Sequence, residues 1–110
     1  MSWATFEINK LSRGETVHFC PRGKSMEPRV HDGQFVRVQP ATVGDVAVGD
    51  VVLCVVGGNQ FLHAVIDVTM QHGRPALALI ANNRGTVNGW TSKVHGRLTA
   101  TWAMTEGGAK

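Results

Sequence analysis

A chain of 110 residues, 43% of them hydrophobic and 17% charged, is long enough to bury one modest core and too apolar for a disordered segment. The net charge of +3 is small and the basic residues are scattered along the chain, which favours a solvated surface over a nucleic-acid interface. No apolar run approaches the ~20 residues that span a bilayer, and the N-terminus lacks the features of a signal peptide. We therefore expect one soluble, cytoplasmic domain over residues 1–110, with a core at about 15–103, a flexible tail at 104–110, and neither a membrane nor a specific nucleic acid as partner.

The first part of the chain consists of short stretches in which apolar and polar residues alternate, as in strands with one buried face. TFEINKL at 5–11 fits either a strand or a short helical turn, whereas ETVHFCP at 15–21 alternates more clearly. QFVRVQP at 34–40 is the clearest half-buried strand. Between the last two, the turn that begins at Met26 is the helical candidate.

The second part alternates between apolar runs and turn signals. The Val-rich runs 51–56 and 59–69 flank Gly57-Gly58-Asn59 and predict a hairpin. Further along come a turn at 71–75, a buried strand at 76–81, a long polar loop at 82–89 and a last strand at 94–103. About seven short strands predict an all-β fold, namely a compact, partly open barrel or sandwich of antiparallel strands with at most one or two helical turns.

The cysteines and most histidines show no spacing typical of a metal site. Cys20 and Cys54 form no CxxC pair, and we expect both to be reduced thiols in a cytoplasmic chain. Apart from His63, the histidines are His18, His31, His72 and His95. Their spacing is not that of metal ligands, so the sequence predicts neither a metal nor a cofactor.

One turn carries a residue that the turn itself does not need. GKSMEP at 23–28 places Ser25 before Met26, where its hydroxyl either caps the turn or acts as an exposed nucleophile. A nucleophilic serine needs a base within about 2.6–3.2 Å. His63, on the strand predicted at 59–69, is the candidate base, although a half-buried histidine can also be purely structural. Lys24 and Lys93 are weaker rivals.

Four segments in order resemble the superfamily that joins type I signal peptidases to the self-cleaving domains of LexA-type repressors. They are GKSMEP (23–28), VGDVVLCVV (48–56), FLHAVIDV (61–68) and IANNRGTVNGWTSKVHGRL (80–98). In that family the serine of a Ser-Met-x-Pro turn is the nucleophile, and the strand that pairs with the Gly-Asp-hydrophobic strand carries the general base. Most bacterial members have lysine there. Archaeal and endoplasmic-reticulum type signal peptidases have histidine, which His63 matches.

The resemblance implies roles for individual residues. Ser25 would be the nucleophile and His63 the base, and the backbone N–H groups of Ser25 and Met26 would bind the oxyanion. Met26, Pro28 and Leu62 would contact the substrate.

The chain departs from the family pattern in the last of these four segments, 80–98. The family has Gly-Asp-Asn there, whereas this sequence has Ala81-Asn82-Asn83, with no acidic residue between Asp67 and Glu106. A carboxylate normally orients the catalytic histidine and supports its charged form. Asn82 is the candidate to orient the ring by a hydrogen bond instead.

Two functions follow from these observations. The first is a soluble serine endopeptidase that hydrolyses a partner, a precursor or itself through an acyl-enzyme on Ser25, without a cofactor. The second is a catalytically weak or dead module of the same fold that serves dimerisation or binds a peptide by strand addition. The intact Ser25 and His63 favour the first function, and the missing acid favours the second.

Overall fold

The computed structural model describes residues 3–21, 26–27, 30 and 33–102. Within them the chain forms one helix, one short 3-10 turn and seven strands, which all belong to a single antiparallel sheet in the order β1-β2-β7-β3-β4-β5-β6. The sheet is compact and not closed, so the prediction of an all-β, partly open fold is confirmed. The elements are α1 (Thr5–Ser12), β1 (Val17–Phe19), β2 (Phe35–Pro40), the 3-10 turn (Val43–Asp45), β3 (Val51–Val56), β4 (Asn59–Gln71), β5 (Arg74–Ala81), β6 (Val87–Thr91) and β7 (Val94–Trp102).

The predicted hairpin is the β3–β4 pair. Gly57 and Gly58 have φ angles of 57° and 84°, the positive values that a tight two-residue hairpin turn requires and that glycine adopts without strain. Asn59, predicted as part of the turn, is the first residue of β4 and pairs with Val56. The turn predicted at 71–75 is present but shorter: His72 and Gly73 alone join β4 to β5.

The stretch 5–11, which fitted either a strand or a short helical turn, lies in helix α1. The buried side chains of Ala4, Ile8 and Leu11 follow a spacing of four and three residues rather than two. The loop predicted at 82–89 is shorter. Asn82 N–H donates to Thr86 O at 3.0 Å, which closes a turn, and β6 begins at Val87.

Strand β3 is buried on both faces and separates two hydrophobic cores. Val51 and Leu53 belong to the first core, which also contains the buried residues of α1 and β2. Val52 and Cys54 belong to the second core, beneath β4 and β5. This double burial explains why the run VVLCVV is apolar without alternation.

The first core has one very close approach, at Gly96 in β7. A Cβ atom built on Gly96 would lie 2.5 Å from Val38 Cγ1, 2.9 Å from Gln39 O and 2.9 Å from Leu11 Cδ1. Only a residue without a side chain lets helix α1, strand β2 and strand β7 meet at this distance.

Neither Cys20 nor Cys54 forms a disulfide. Burial raises the pKa of the Cys54 thiol to about 12, so this residue behaves as a small hydrophobic side chain. Within the described ranges the structure contains no helix that is long and apolar enough to cross a membrane.

Candidate active site

His63 lies in the middle of the sheet, on β4, where it pairs with Val52 of β3. Residues that face each other in an antiparallel ladder point to the same side of the sheet, so the ring of His63 lies on the side of the second core. It stacks on Phe61 with a centroid distance of 5.0 Å, and His63 is only 8% exposed. Packing therefore holds the ring in a defined orientation.

A side-chain amide holds one nitrogen of this ring. Nδ1 of His63 lies 2.7 Å from Oδ1 of Asn88 on β6. An amide oxygen can only accept a hydrogen bond, so Nδ1 donates its proton and the lone pair of the neutral ring is on Nε2. This tautomer is the one in which a histidine can remove a proton through Nε2.

The same environment keeps the ring neutral. Burial lowers the pKa of His63 below its ordinary value of 6.5, and the hydrogen bond with Asn88 opposes only part of that effect. The imidazole is therefore uncharged at neutral pH, as a general base must be.

The turn at Met26 is fixed by the segment that leads to Asn88. Asn83 donates hydrogen bonds from Nδ2 to the backbone oxygens of Met26 and Glu27, at 3.3 and 3.1 Å. Val30 N–H donates to Met26 O at 2.9 Å. Asn83 and Asn88 thus contact, respectively, the backbone of Met26 and Glu27 and the ring of His63.

The other predicted site residues are distributed as follows. Ser25 and Pro28 lie outside the described residues. Met26 and Leu62 are both buried in the first core, so these side chains pack within the protein, on the other side of the sheet from the ring of His63. The orienting role of Asn82 stays a prediction; its Oδ1 accepts hydrogen bonds from the backbone N–H groups of Arg84 and Thr86, both at 2.9 Å.

The sequence did not single out Asn83 and Asn88. Both lie in the stretch predicted as a polar loop, where a side chain has no assigned direction. The register explains the position of Asn88. Ile80 pairs with Gly89 and Ala81 with Val87, so Asn88 is an extra residue in a bulge of β6. Bulges redirect side chains and are common beside functional sites.

The β4–β5 ladder begins next to His63. Ala64 pairs with Ala81 of β5, and residues 59–64 of β4 pair with β3. The backbone oxygen of Gln60 accepts a hydrogen bond from Trp3 Nε1 at 2.9 Å.

Among the residues that the structure describes, no group of three or more His, Cys, Asp or Glu side chains could hold a metal ion. Comparison of the chain with protein-family models, with curated proteins and with solved structures finds no match.

Proposed function

We propose that this chain is a serine endopeptidase domain in which Ser25 attacks a peptide carbonyl and His63 removes the hydroxyl proton through Nε2. His63 then gives this proton to the leaving amine as the C–N bond breaks. The resulting acyl-enzyme on Ser25 is hydrolysed by water that the same histidine deprotonates, which releases the acid and restores the hydroxyl of Ser25. The substrate is a peptide or protein segment, including a segment of this chain. We assign the domain to the cytoplasm, because neither Cys20 nor Cys54 forms a disulfide, as is usual for proteins of a reducing compartment.

One observation carries this proposal: the hydrogen bond of 2.7 Å between His63 Nδ1 and Asn88 Oδ1. A structural histidine needs only a satisfied ring, whereas a base needs one nitrogen held as a donor and the other left basic. Asn88 supplies that arrangement without a carboxylate, and the lowered pKa keeps the ring in its active, neutral form. Asn83, in the same segment, binds the turn that follows Ser25.

A fluorophosphonate probe tests the proposal, because it forms a covalent bond with an activated serine. We expect the wild-type protein to gain one probe by intact-mass spectrometry. Ser25→Ala should gain none and should keep its fold, since removal of a capping hydroxyl costs only about 1 kcal/mol. Ser92→Ala, which removes an exposed serine elsewhere in the chain, is the matched control and should be labelled like wild type. Equal labelling of Ser25→Ala and wild type would refute the role of Ser25.

The pH dependence of labelling tests the role of Asn88. Labelling needs neutral His63, so its rate should rise as pH increases through a pKa below 6.5. In Asn88→Asp a carboxylate would stabilise the imidazolium and raise that pKa, which should move the midpoint upward by about one unit or more. The rate measured above the midpoint should also increase, because the carboxylate supports the charge that develops on the ring.

Asn82→Asp is the matched control for this experiment. It introduces the same charge at the residue that the sequence favoured as the orienting group, whose Oδ1 is bonded to Arg84 and Thr86. We expect a smaller shift for Asn82→Asp than for Asn88→Asp. The reverse order would assign the orienting role to Asn82.

A second function, a non-catalytic module for dimerisation or peptide binding, is favoured by a different observation. Strand β6 is the last strand of the sheet, and its side chains Val87 and Trp90 are 53% and 44% exposed, next to Leu77 of β5, which is 38% exposed. Apolar side chains on an edge strand suit strand addition by a peptide or a second copy of the chain. Wild-type protein that folds and stays unlabelled by the probe would favour this function.

A further inference from the structure

Strands β1, β2 and β7 carry aromatic and basic side chains on the side of the sheet that faces away from the first core. His18 pairs with Arg37, and Phe35 pairs with Trp102. Paired residues point to the same side, as do residues two apart in a strand, so these four side chains share one surface. Val36, between Phe35 and Arg37, belongs to the first core on the opposite side. We call His18, Phe35, Arg37 and Trp102 the aromatic–basic surface.

The ring of Trp102 lies at the centre of the aromatic–basic surface. Its centroid is 6.1 Å from that of Phe35, with 27° between the two ring planes, and 5.9 Å from that of His18. Trp102 is nevertheless 40% exposed, and His18 is exposed as well. A large ring that two neighbouring rings contact and that stays open to solvent provides a face on which a planar ligand can stack.

The charge of the aromatic–basic surface is positive. Strands β1, β2 and β7 contain no Asp or Glu. Arg37 forms no ion pair with a described carboxylate, and its hydrogen bond to Thr99 Oγ1, at 2.9 Å, uses Nε. The two terminal NH2 groups of this guanidinium therefore remain to bind an anion. Arg97 of β7 differs, because its Nη1 lies 3.9 Å from Asp50 Oδ2.

We propose that the aromatic–basic surface binds single-stranded nucleic acid without sequence preference, with a base stacked on Trp102 and a backbone phosphate bound by Arg37. Each nucleotide of a single strand presents an unpaired base beside a phosphate, which matches a ring beside a guanidinium. A duplex keeps its bases within the stack, and a run of acidic side chains has no ring to place on Trp102. The proposal does not depend on the endopeptidase function.

The scatter of basic residues along the sequence does not exclude this surface. That observation concerns positions in the chain, whereas β1, β2 and β7 come together only in the folded sheet, where they are neighbours in the strand order. Folding thus brings one guanidinium close to three rings from distant parts of the sequence. Recognition through stacking and one phosphate contact also carries no information about base sequence.

Fluorescence anisotropy of the wild-type chain with a fluorescein-labelled oligothymidylate of about 12 nucleotides tests the proposal. We expect saturable binding that weakens as salt increases, and weaker binding to a duplex of the same length. Trp102→Ala and Trp102→Leu should each weaken binding about fivefold or more, because a base loses its stacking partner. The leucine variant keeps an apolar side chain beside Phe35, and circular dichroism checks the fold of both. Arg37→Gln should reduce the slope of log affinity against log salt by about 0.7, the value for one phosphate on a single strand.

Trp90→Ala and Arg84→Gln are the matched controls. Trp90 is 44% exposed and lies on β6, at the other end of the sheet, and Arg84 is an exposed arginine between β5 and β6. Both variants should bind like wild type. Absence of binding, equal losses in Trp90→Ala and Trp102→Ala, or equal affinity for the single strand and the duplex would each overturn the proposal. Equally tight binding of a labelled oligoglutamate would also overturn it and would identify an acidic protein segment as the ligand.

Discussion

Replacement of His63 by alanine is expected to lower the second-order rate of fluorophosphonate labelling by about 10²–10⁴-fold, the usual contribution of a positioned general base. In the proposed mechanism the ring held by Asn88 supplies the basic nitrogen that activates the hydroxyl, and the substitution removes that nitrogen. His63→Gln should show a similar loss. Glutamine is polar and closer in size to histidine than alanine is, so this second variant leaves a smaller cavity beside Asn88.

His95→Ala is the control for this experiment. His95 is also partly buried, and burial together with the charge of Lys93 lowers its pKa, but it lies on β7 and has no contact with Asn88 among those described. We expect His95→Ala to be labelled at the wild-type rate. If both histidine variants lose activity to the same extent while circular dichroism shows intact folds, His63 has no special role and the dyad hypothesis is wrong.

Gly96→Val is expected to destabilise the fold by about 3 kcal/mol or more, which is at the upper end for overpacked core positions. The added side chain would collide with Val38 Cγ1, with Gln39 O and with Leu11 Cδ1, and the carbonyl cannot move without breaking the β2–β7 ladder. The free energy of unfolding from urea titration measures this effect. A large drop in midpoint with an unchanged slope would indicate a change in stability alone.

Thr101→Val places the same β-branched residue at an exposed position of the same strand. It should change the free energy of unfolding by no more than about 0.5 kcal/mol, as is usual for surface substitutions. Comparable effects of the two substitutions would mean that β7 tolerates bulk at both positions and that the close approach at Gly96 is not required.

The strands could be predicted because each lies between strong turn signals. Gly57-Gly58 and the turn after Gln71 separate runs that have strand composition, and local chemistry decides their conformation. Helix α1 was ambiguous because eight residues give too few turns to distinguish a helical period from alternation. The role of Gly96 could not be seen, since it depends on Leu11 and Val38, which are distant in sequence.

The candidate site was predictable only in part. A histidine in register with the Val-rich strand could be identified from the sequence, since hairpin pairing is local. The partner of its Nδ1 could not, because Asn88 reaches His63 through a bulge, and a single extra residue changes the direction of a side chain. The order of the four segments along the chain predicted Asn82 as the residue that orients His63, whereas the register of β6 brings Asn88 to the ring.

The strand order has a consequence for the time course of assembly. Strands β3 to β6 follow one another as sequential neighbours, so the half of the sheet that contains His63 and Asn88 can form by local pairing as the chain emerges. Strand β7, the last of the described strands, lies between β2 and β3 and joins this half to the one that contains β1 and β2. Until β7 inserts, two strand edges remain unpaired and the first core is incomplete. The contact between His63 and Asn88 therefore forms before Met26 is packed in the first core, which is complete only when β7 has docked.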